Sequence, residues 1–393
     1  MSTVPTLPDF CVPVPGSTTL HAVLSGALRR ALGDLRAVLH AYASGPWAAD
    51  VAAFARAVGP LLRSQPGAIA AVVRRPEVGV WLRSLRPHAA QAVDPALGIP
   101  TLLCTIGLEL ARTETLRGPL RLRAWPRRVL GGGGRLALEI PPGTTALSFE
   151  PGAVWAERGA ERQALPLVPD DLAFLPLPGS AVRLALVDDN PWAALEAHPD
   201  KSGNALDLGG QPAERWQAAL GEALSIIERH LPPFRVEIEQ VLRQVVPVGW
   251  FPEQHLSASV QEAIGTVYLS LHPNPMTMVE AVIHEVSHNK LAALCELDPV
   301  LENAPDERYA SPVRPDPRPL WGVLLAVHAF LPVAALYAAM IEAGAPGSER
   351  PEVRRRLERI VEGNREGTEV LRAHARPTAA GAELLAEIEA LDP

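Results

Sequence analysis

The stretch from His284 to His288 reads H-E-x-x-H and constrains this chain more than any other feature. Residues four apart on an α-helix lie one above the other, so His284 and His288 can bring both imidazoles to a single metal ion. Glu285 points roughly 100° away from His284 and can still serve a metal-bound ligand as a base or hydrogen-bond acceptor. The motif therefore predicts a metal-dependent enzyme, for which a zinc hydrolase is the usual interpretation.

The residues around the motif predict the helix that it needs. Asn274-Pro275 combines a favourable N-cap with a proline at the first helical position, and Asp298-Pro299 is typical of the end of a helix. Between them, apolar residues recur at the spacing of an amphipathic helix. A simpler interpretation, in which two histidines lie on a partly buried helix without any metal, remains open.

The chain is 393 residues long, enough for roughly two or three domains, and its pattern predicts an α+β fold that is predominantly helical. We expect a helical N-terminal region over 1–126, a small β-rich module over 127–204, a catalytic domain of strands and the H-E-x-x-H helix over 205–346, and covering helices over 347–393. Four glycines at 131–134 mark the change from helices to strands. We also expect a helical run over 68–85 and an irregular, proline-rich loop over 300–319.

Composition and charge argue against several classes of partner. A net charge of -8 does not suggest a nucleic-acid binder, and three widely spaced cysteines are typical of reduced thiols in a cytoplasmic protein. No secretory signal is recognisable near the N-terminus. The longest apolar run, 320–341, is interrupted by His328 and Pro332, which indicates a buried helix instead of a membrane span. We therefore expect a cytoplasmic protein with neither a nucleic-acid nor a membrane partner.

The segment 112–135 is a local exception to the acidic balance of the chain. Between its terminal arginines it contains Arg117, Arg121, Arg123, Arg127 and Arg128. A solvated loop is the simpler interpretation of such a charge run, and a docking surface for an acidic peptide is the functional one. The sequence leaves both open.

Two imidazoles do not complete a metal site, so a third ligand must come from elsewhere in the chain. The metzincin pattern is excluded, because Leu291 and Leu294 occupy the positions where it has glycine and histidine. His328 is the favoured third ligand, since it lies in an apolar helix that must pack centrally, where the alternative is an ordinary core histidine. Three carboxylates remain open as alternatives: Glu280, one turn before His284, and Glu302 and Glu307 in the proline-rich loop.

Two arginines precede the helix of His328 in the segment R-P-D-P-R-P. Prolines flank Arg314 and Arg318 and restrict their backbone, which favours a preorganised clamp for a carboxylate. A surface loop with solvated charges is the alternative. Beside a metal site, such a guanidinium is what the distal carboxylate of a 2-oxo acid cosubstrate would need.

Taken together, these segments resemble a known family. The stretches 265–270, 280–291, 314–322 and 328–331 are similar to the HExxH-motif peptide-modification proteins, and the resemblance covers residues 205–345. Members of that family are iron(II)- and 2-oxoglutarate-dependent β-hydroxylases of side chains in ribosomally synthesised precursor peptides. The combination of H-E-x-x-H with a later D-P-R-P segment and helix is more specific than either part alone.

The resemblance implies roles for particular residues. It implies iron(II) held by His284, His288 and His328, and 2-oxoglutarate held by Arg318 or, as the second choice, by Arg314. Glu285 would then order a water or orient a ligand instead of acting as an obligate base. The substrate implied is the side chain of a precursor peptide.

Two other functions remain open on the sequence alone. A zinc metallopeptidase would use Glu285 as a general base toward a metal-bound water. A non-catalytic peptide-binding protein would keep the fold without a tight metal. Imidazole ligands suit both iron and zinc, so the motif does not choose between the two ions.

Overall fold

A computed structural model describes residues 4–87, 89, 92–131, 133, 135–194, 197–198, 201–311 and 314–391. The fold is α+β and predominantly helical, with a helical N-terminus, sheets in the middle and the H-E-x-x-H residues on a helix, as the sequence predicts. Two of the four glycines at 131–134, Gly132 and Gly134, lie outside the described residues.

The described residues of the N-terminal part form five helices. They are α1 (Thr19–Ala41), α2 (Ala48–Ser64), α3 (Pro66–Val73), α4 (Pro76–Leu85) and α5 (Pro95–Arg112). The helical run predicted over 68–85 is two helices, because Pro76 lacks the N–H that would continue the first and instead starts α4. Asp94 caps α5 by accepting a hydrogen bond from the Ala96 N–H at 2.9 Å.

A four-stranded antiparallel sheet packs against these helices in the order β1-β4-β5-β6. Its strands are β1 (Leu120–Leu122), β4 (Ala146–Glu150), β5 (Ala153–Arg158) and β6 (Glu161–Leu165), and β2 (Arg128–Gly131) with β3 (Leu136–Glu139) forms a hairpin beside it. One hydrophobic core joins this sheet to α1–α5.

A second sheet has the order β12-β13-β11-β8-β7 and lies under the H-E-x-x-H helix. Its strands are β7 (Phe174–Pro176), β8 (Arg183–Ala185), β11 (Gln244–Trp250), β12 (Ser257–Ala258) and β13 (Thr266–Leu271). The short strands β9 (Ala197–His198) and β10 (Lys201–Ser202) pair with each other. Because β8 runs parallel to β11, the sheet joins strands from both sides of the domain boundary predicted at 204.

The remaining helices are α6 (Ala213–His230), α7 (Pro232–Val241), α8 (Pro275–Cys295), α9 (Leu320–Glu342), α10 (Pro351–His374) and α11 (Ala379–Leu391). The prediction of an irregular loop over 300–319 is wrong in part, because β14 (Tyr309–Ser311) and β15 (Arg314–Arg318) pair as an antiparallel hairpin. Alternate prolines are tolerated in a two-stranded hairpin, since every second N–H points away from the partner strand.

Helices α8 and α9 form the centre of this half of the molecule. α8 packs against α6, α9 and α1, while α9 packs against α8 and α10. α9 is long and apolar enough to cross a membrane, but most of it is buried inside the protein, as core helices often are. Burial of α9 in the core therefore explains why its sequence is so apolar.

Candidate metal centre

The helix α8 begins and ends close to where its sequence predicts. Asn274 caps it by accepting a hydrogen bond from the Met276 N–H at 3.0 Å, and Pro275 occupies the first turn. On the face turned to the core, Val282, Ile283 and Val286 are almost fully buried. This packing fixes the helix, and with it the direction in which the two histidines point.

Asn289 ties α8 to the preceding strand. Its side-chain oxygen accepts a hydrogen bond from the Gly265 N–H at 2.6 Å, and its amide donates to the Thr266 carbonyl at 3.3 Å. Asn289 follows the motif directly, so the same helical turn carries His288 and the link to β13. The strand β13 therefore lies beside the motif helix.

The motif residues form a compact group of potential metal ligands. One ligand atom each from His284, Glu285 and His288 lie within 4.8 Å of one another. The two imidazole centroids are 4.4 Å apart, and Glu285 Oε2 lies 3.4 Å from His288 Nδ1. The predicted grouping of these side chains on one helix is confirmed, and it makes a metal-binding site possible.

The protonation states in this group suit a metal ion. Burial, followed by the neighbouring His288, lowers the pKa of His284 to about 3. Burial alone would raise the pKa of Glu285, but the hydrogen bond and charge of His288, with smaller effects from His284 and Ser257, outweigh it and lower that pKa to about 2. A neutral imidazole beside an ionised carboxylate is the state in which both groups offer lone pairs to a cation.

Buried ring nitrogens give a direct test of whether the residues fit a metal. His288 Nε2 is buried and has no hydrogen-bond partner, and the same holds for both ring nitrogens of His328. Buried polar atoms without a partner are rare because desolvation is costly. Imidazole nitrogens are suitable ligands for zinc and iron. The donor set therefore fits a divalent transition-metal ion.

His328 lies on α9 and is fully buried. Its ring centroid is 5.5 Å from that of Phe10, which comes from the N-terminal segment. Burial holds the pKa of His328 well below its usual value, and the charge of Lys290 adds to this effect ahead of smaller contributions from His288 and His284. His328 is outside the compact group on α8, so its role as third ligand stays a prediction.

His284 faces an open pocket of about 1060 Å³ between α6, α8, α9 and α10. The ring of Phe330 packs against that of His284, with their centroids 5.0 Å apart, and the Arg356 guanidinium lies 5.7 Å from the centroid of the Phe330 ring. His255 lines the same pocket, and its Nδ1 lies within hydrogen-bond distance of Ser270 Oγ, at 3.1 Å. Nothing in the sequence pointed to His255 or Arg356, because they come from separate elements without a shared motif, whereas Phe330 lies in the segment 328–331 that carries the family resemblance.

Glu280 also lines this pocket but is occupied by partners within the chain. Its carboxylate accepts hydrogen bonds from Arg356 Nε at 3.0 Å and from the Tyr337 hydroxyl at 2.7 Å. Arg356 Nη2 makes a further ion pair with it. Glu280 therefore has the contacts of a residue that holds α8 to α9 and α10.

The two other carboxylates considered as ligands lie beside the β14–β15 hairpin. Glu307 accepts hydrogen bonds from Tyr309 at 2.5 Å and from Arg376 at 3.1 Å, and Glu302 is exposed. Neither belongs to the group formed by the motif residues.

The predicted clamp residues lie on β15, which leads directly into α9. The side chain of Arg318 is about one-third exposed, and its Nε lies 3.5 Å from the carboxylate of Asp316. Trp321, three residues after Arg318, lines a small cavity of about 80 Å³ together with His288. Arg318 is not among the residues that line this cavity or the larger pocket, and the side chain of Arg314 lies outside the described part of the chain.

Comparison with known proteins gives no further assignment. No protein-family model matches this chain, and no curated protein shows detectable similarity to it.

Proposed function

We propose that this protein is an iron(II)- and 2-oxoglutarate-dependent oxygenase that hydroxylates the β-carbon of a side chain in a ribosomally synthesised precursor peptide. The observation that carries the proposal is the His284–Glu285–His288 group, which opens onto a large pocket and includes the unpartnered Nε2 of His288. When bound, iron would supply dioxygen activation: one oxygen atom enters the substrate C–H bond, and the other enters succinate as 2-oxoglutarate loses carbon dioxide.

His284, His288 and His328 are the proposed metal ligands. The first two share one helical face, and the third comes from the neighbouring helix α9 with both ring nitrogens unpartnered. A three-residue set leaves coordination positions free for a chelating cosubstrate and for oxygen, as in non-haem iron oxygenases. A closed set of four protein ligands, by contrast, is typical of structural zinc.

Glu285 is proposed to position His288. Its Oε2 lies 3.4 Å from His288 Nδ1, so the carboxylate can hold the proton on Nδ1 and leave Nε2 free for the metal. The carboxylate itself is almost fully buried and ionised at neutral pH. This role needs no proton transfer to the substrate.

Arg318 is proposed to bind the distal carboxylate of 2-oxoglutarate. Its neighbour Asp316 is 64% exposed, so the contact between them is weakened by solvent and can give way to a ligand. Arg356 lines the pocket of His284, but its guanidinium is already engaged by the carboxylate of Glu280. The arginine with the weaker partner is the better candidate, and Arg314 remains the second choice.

The pocket beside His284 is proposed to receive the peptide. Its volume of about 1060 Å³ lies at the upper end of the range for small-molecule sites, and it is open to solvent along α10. Met276, Phe330 and Tyr337 offer apolar and aromatic contacts, while exposed arginines lie at its edge. A segment of a peptide chain fits such a site better than a single small metabolite does.

A zinc metallopeptidase is the second candidate, favoured by the ionised Glu285 inside the ligand group. In that enzyme Glu285 would take a proton from a metal-bound water. The third candidate, a non-catalytic peptide-binding protein, predicts no tight metal. We expect the oxygenase to work in the cytoplasm, where the three free thiols stay reduced.

Succinate formation decides between these functions. The purified protein is loaded with Fe(II) without oxygen, then given 2-oxoglutarate and air, and compared with a zinc-loaded sample and with His284→Ala. We expect iron-dependent succinate even without the peptide, through uncoupled turnover, and none in the other two samples. Bound zinc with no succinate under any condition would contradict the oxygenase and favour the peptidase.

A further inference from the structure

A second large groove lies on the N-terminal half of the molecule, between α2 and β1. It has a volume of about 630 Å³, and these two elements belong to a hydrophobic core different from the one around α8. Small side chains of α2, among them Ala49, Ala53 and Ala57, form its floor. Four arginines line it: Arg56, Arg117, Arg121 and Arg123.

The described residues around this groove neutralise its charge only in part. Asp50 also lines the groove, but its carboxylate accepts hydrogen bonds from the backbone N–H groups of Arg123 and Ala124 at 2.9 to 3.0 Å. Arg121 pairs with Glu157 at 2.7 Å. Within the described residues, the exposed side chains of the other three arginines have no carboxylate partner. The groove is thus a basic site on a protein of net charge -8.

The backbone of β1 is open toward the same groove. β1 is an edge strand of its sheet and pairs with β4, with Arg121 opposite Ser148. The Arg123 N–H points away from β4, because it donates to Asp50 on α2. Backbone groups alternate in direction along a strand, so residues two apart point the same way. The N–H and C=O of Arg121 therefore point away from β4, as the Arg123 N–H does. Edge strands with such exposed groups are templates for pairing with another chain.

We propose that this groove binds an extended, acidic peptide segment that adds to β1 as a further strand. Main-chain hydrogen bonds to Arg121 would give affinity, and carboxylates of the peptide would pair with Arg56, Arg117 and Arg123. A single-stranded nucleic acid fits less well, because none of the described residues that line the groove is aromatic and could stack on a base. The inference does not depend on the chemistry of the metal centre.

The first arm of the test concerns charge. The full-length protein is titrated against a fluorescein-labelled peptide of alternating glutamate and valine, about eight residues long, with a lysine-for-glutamate peptide as the control. We expect binding of the acidic peptide alone, weakened about tenfold in the double variant Arg117→Glu/Arg123→Glu. The matched variant Arg36→Glu/Arg365→Glu reverses two exposed arginines elsewhere and should bind like wild type.

The second arm concerns the strand edge. Arg121→Val and Arg121→Pro remove the same charge, but only proline removes the N–H that points into the groove. We expect Arg121→Val to retain most of the affinity and Arg121→Pro to lose it, with unchanged circular dichroism in both. Equal binding by the two variants would overturn strand addition.

Three other outcomes would overturn the proposal as a whole. These are no binding of the acidic peptide to wild type, equal loss in the Arg36→Glu/Arg365→Glu control, and equally tight binding of a single-stranded oligonucleotide. The last result would define a general polyanion surface. None of these results bears on succinate formation, so failure here is separate from failure of the proposed oxygenase.

Discussion

Two buried side-chain nitrogens on α8, His288 Nε2 and Lys290 Nζ, differ in whether the chain provides a partner for them. Lys290 is fully buried, and its Nζ lies 2.5 Å from Glu237 Oε2 and within about 5 Å of the Phe10 and Phe234 rings. His288 Nε2, less than one turn away, is buried without a partner. The chain supplies a counter-charge where the buried group is structural and leaves the nitrogen free where a ligand from outside is expected.

The largest effect should come from breaking the structural pair. Lys290→Ala leaves the Glu237 carboxylate buried without its charge partner, which should lower the free energy of unfolding by about 3–5 kcal/mol. The double variant Lys290→Met/Glu237→Leu removes both charges at similar volume and should recover most of that loss. Urea denaturation measures both values. If the double variant were as unstable as the single one, the pair would owe its importance to packing and not to charge.

Replacing His328 should affect metal binding and not stability, in contrast to replacing Lys290. His328→Leu removes two unpartnered nitrogens, so we expect unchanged or higher stability of the metal-free protein but roughly 10–100-fold weaker Fe(II) binding. An anaerobic competition with a chromophoric chelator measures this affinity. His255→Ala is the matched control from the pocket wall. Should that variant lose the metal while His328→Leu keeps it, the third ligand would be His255.

Arg318 should affect the cosubstrate and not the metal. Arg318→Ala removes a charge-assisted contact to a carboxylate, so the KM for 2-oxoglutarate in the succinate assay should rise about tenfold or more. Arg308→Ala removes an exposed arginine from the same segment and should leave KM unchanged. If Arg356→Ala, and not Arg318→Ala, gave the increase, the clamp would lie on α10.

The smallest effect concerns another internally paired group. Asp188 accepts a hydrogen bond from the Tyr268 hydroxyl at 2.8 Å, and burial is the main cause that raises the pKa of Asp188 to about 6. A carboxyl with a raised folded-state pKa stabilises the fold below its unfolded value near 4, and this contribution is lost as pH rises through about 6.

Asp188→Asn should therefore gain stability relative to wild type as pH rises from about 4 to 7. Thermal melts across this range measure the difference, with the unrelated exposed carboxyl variant Asp306→Asn as the control. A constant difference across the range would mean that Asp188 titrates normally.

Much of the metal centre could be predicted from sequence because its geometry is local. Helical spacing alone places His284 above His288, and the cap at Asn274 predicts where the helix begins. By contrast, Arg356 reaches the pocket only because α10 packs on α9, and nothing in its own sequence neighbourhood indicates this. Long-range packing also decides whether His328 meets the motif, which spacing cannot show.

The fold shows the same limit. Helix starts with strong chemical signals, such as Asn274-Pro275, appear as expected. Short strands are harder, since β1 has only three residues and β15 contains two prolines, and both strands exist through their partners β4 and β14. The prediction of a loop over 300–319 was partly wrong for this reason.

The central claim is that His284 and His288 bind one metal ion, and that the described chain provides no internal partner for His288 Nε2, the nitrogen that would bind it. The most direct measurement is the Fe(II) stoichiometry of the full-length protein, by anaerobic calorimetric titration, in wild type and in His284→Ala/His288→Ala. We expect one equivalent bound by wild type and none by the variant, with equal thermal stability of the two metal-free proteins. Equal iron binding by both proteins, or none by wild type, would contradict the account.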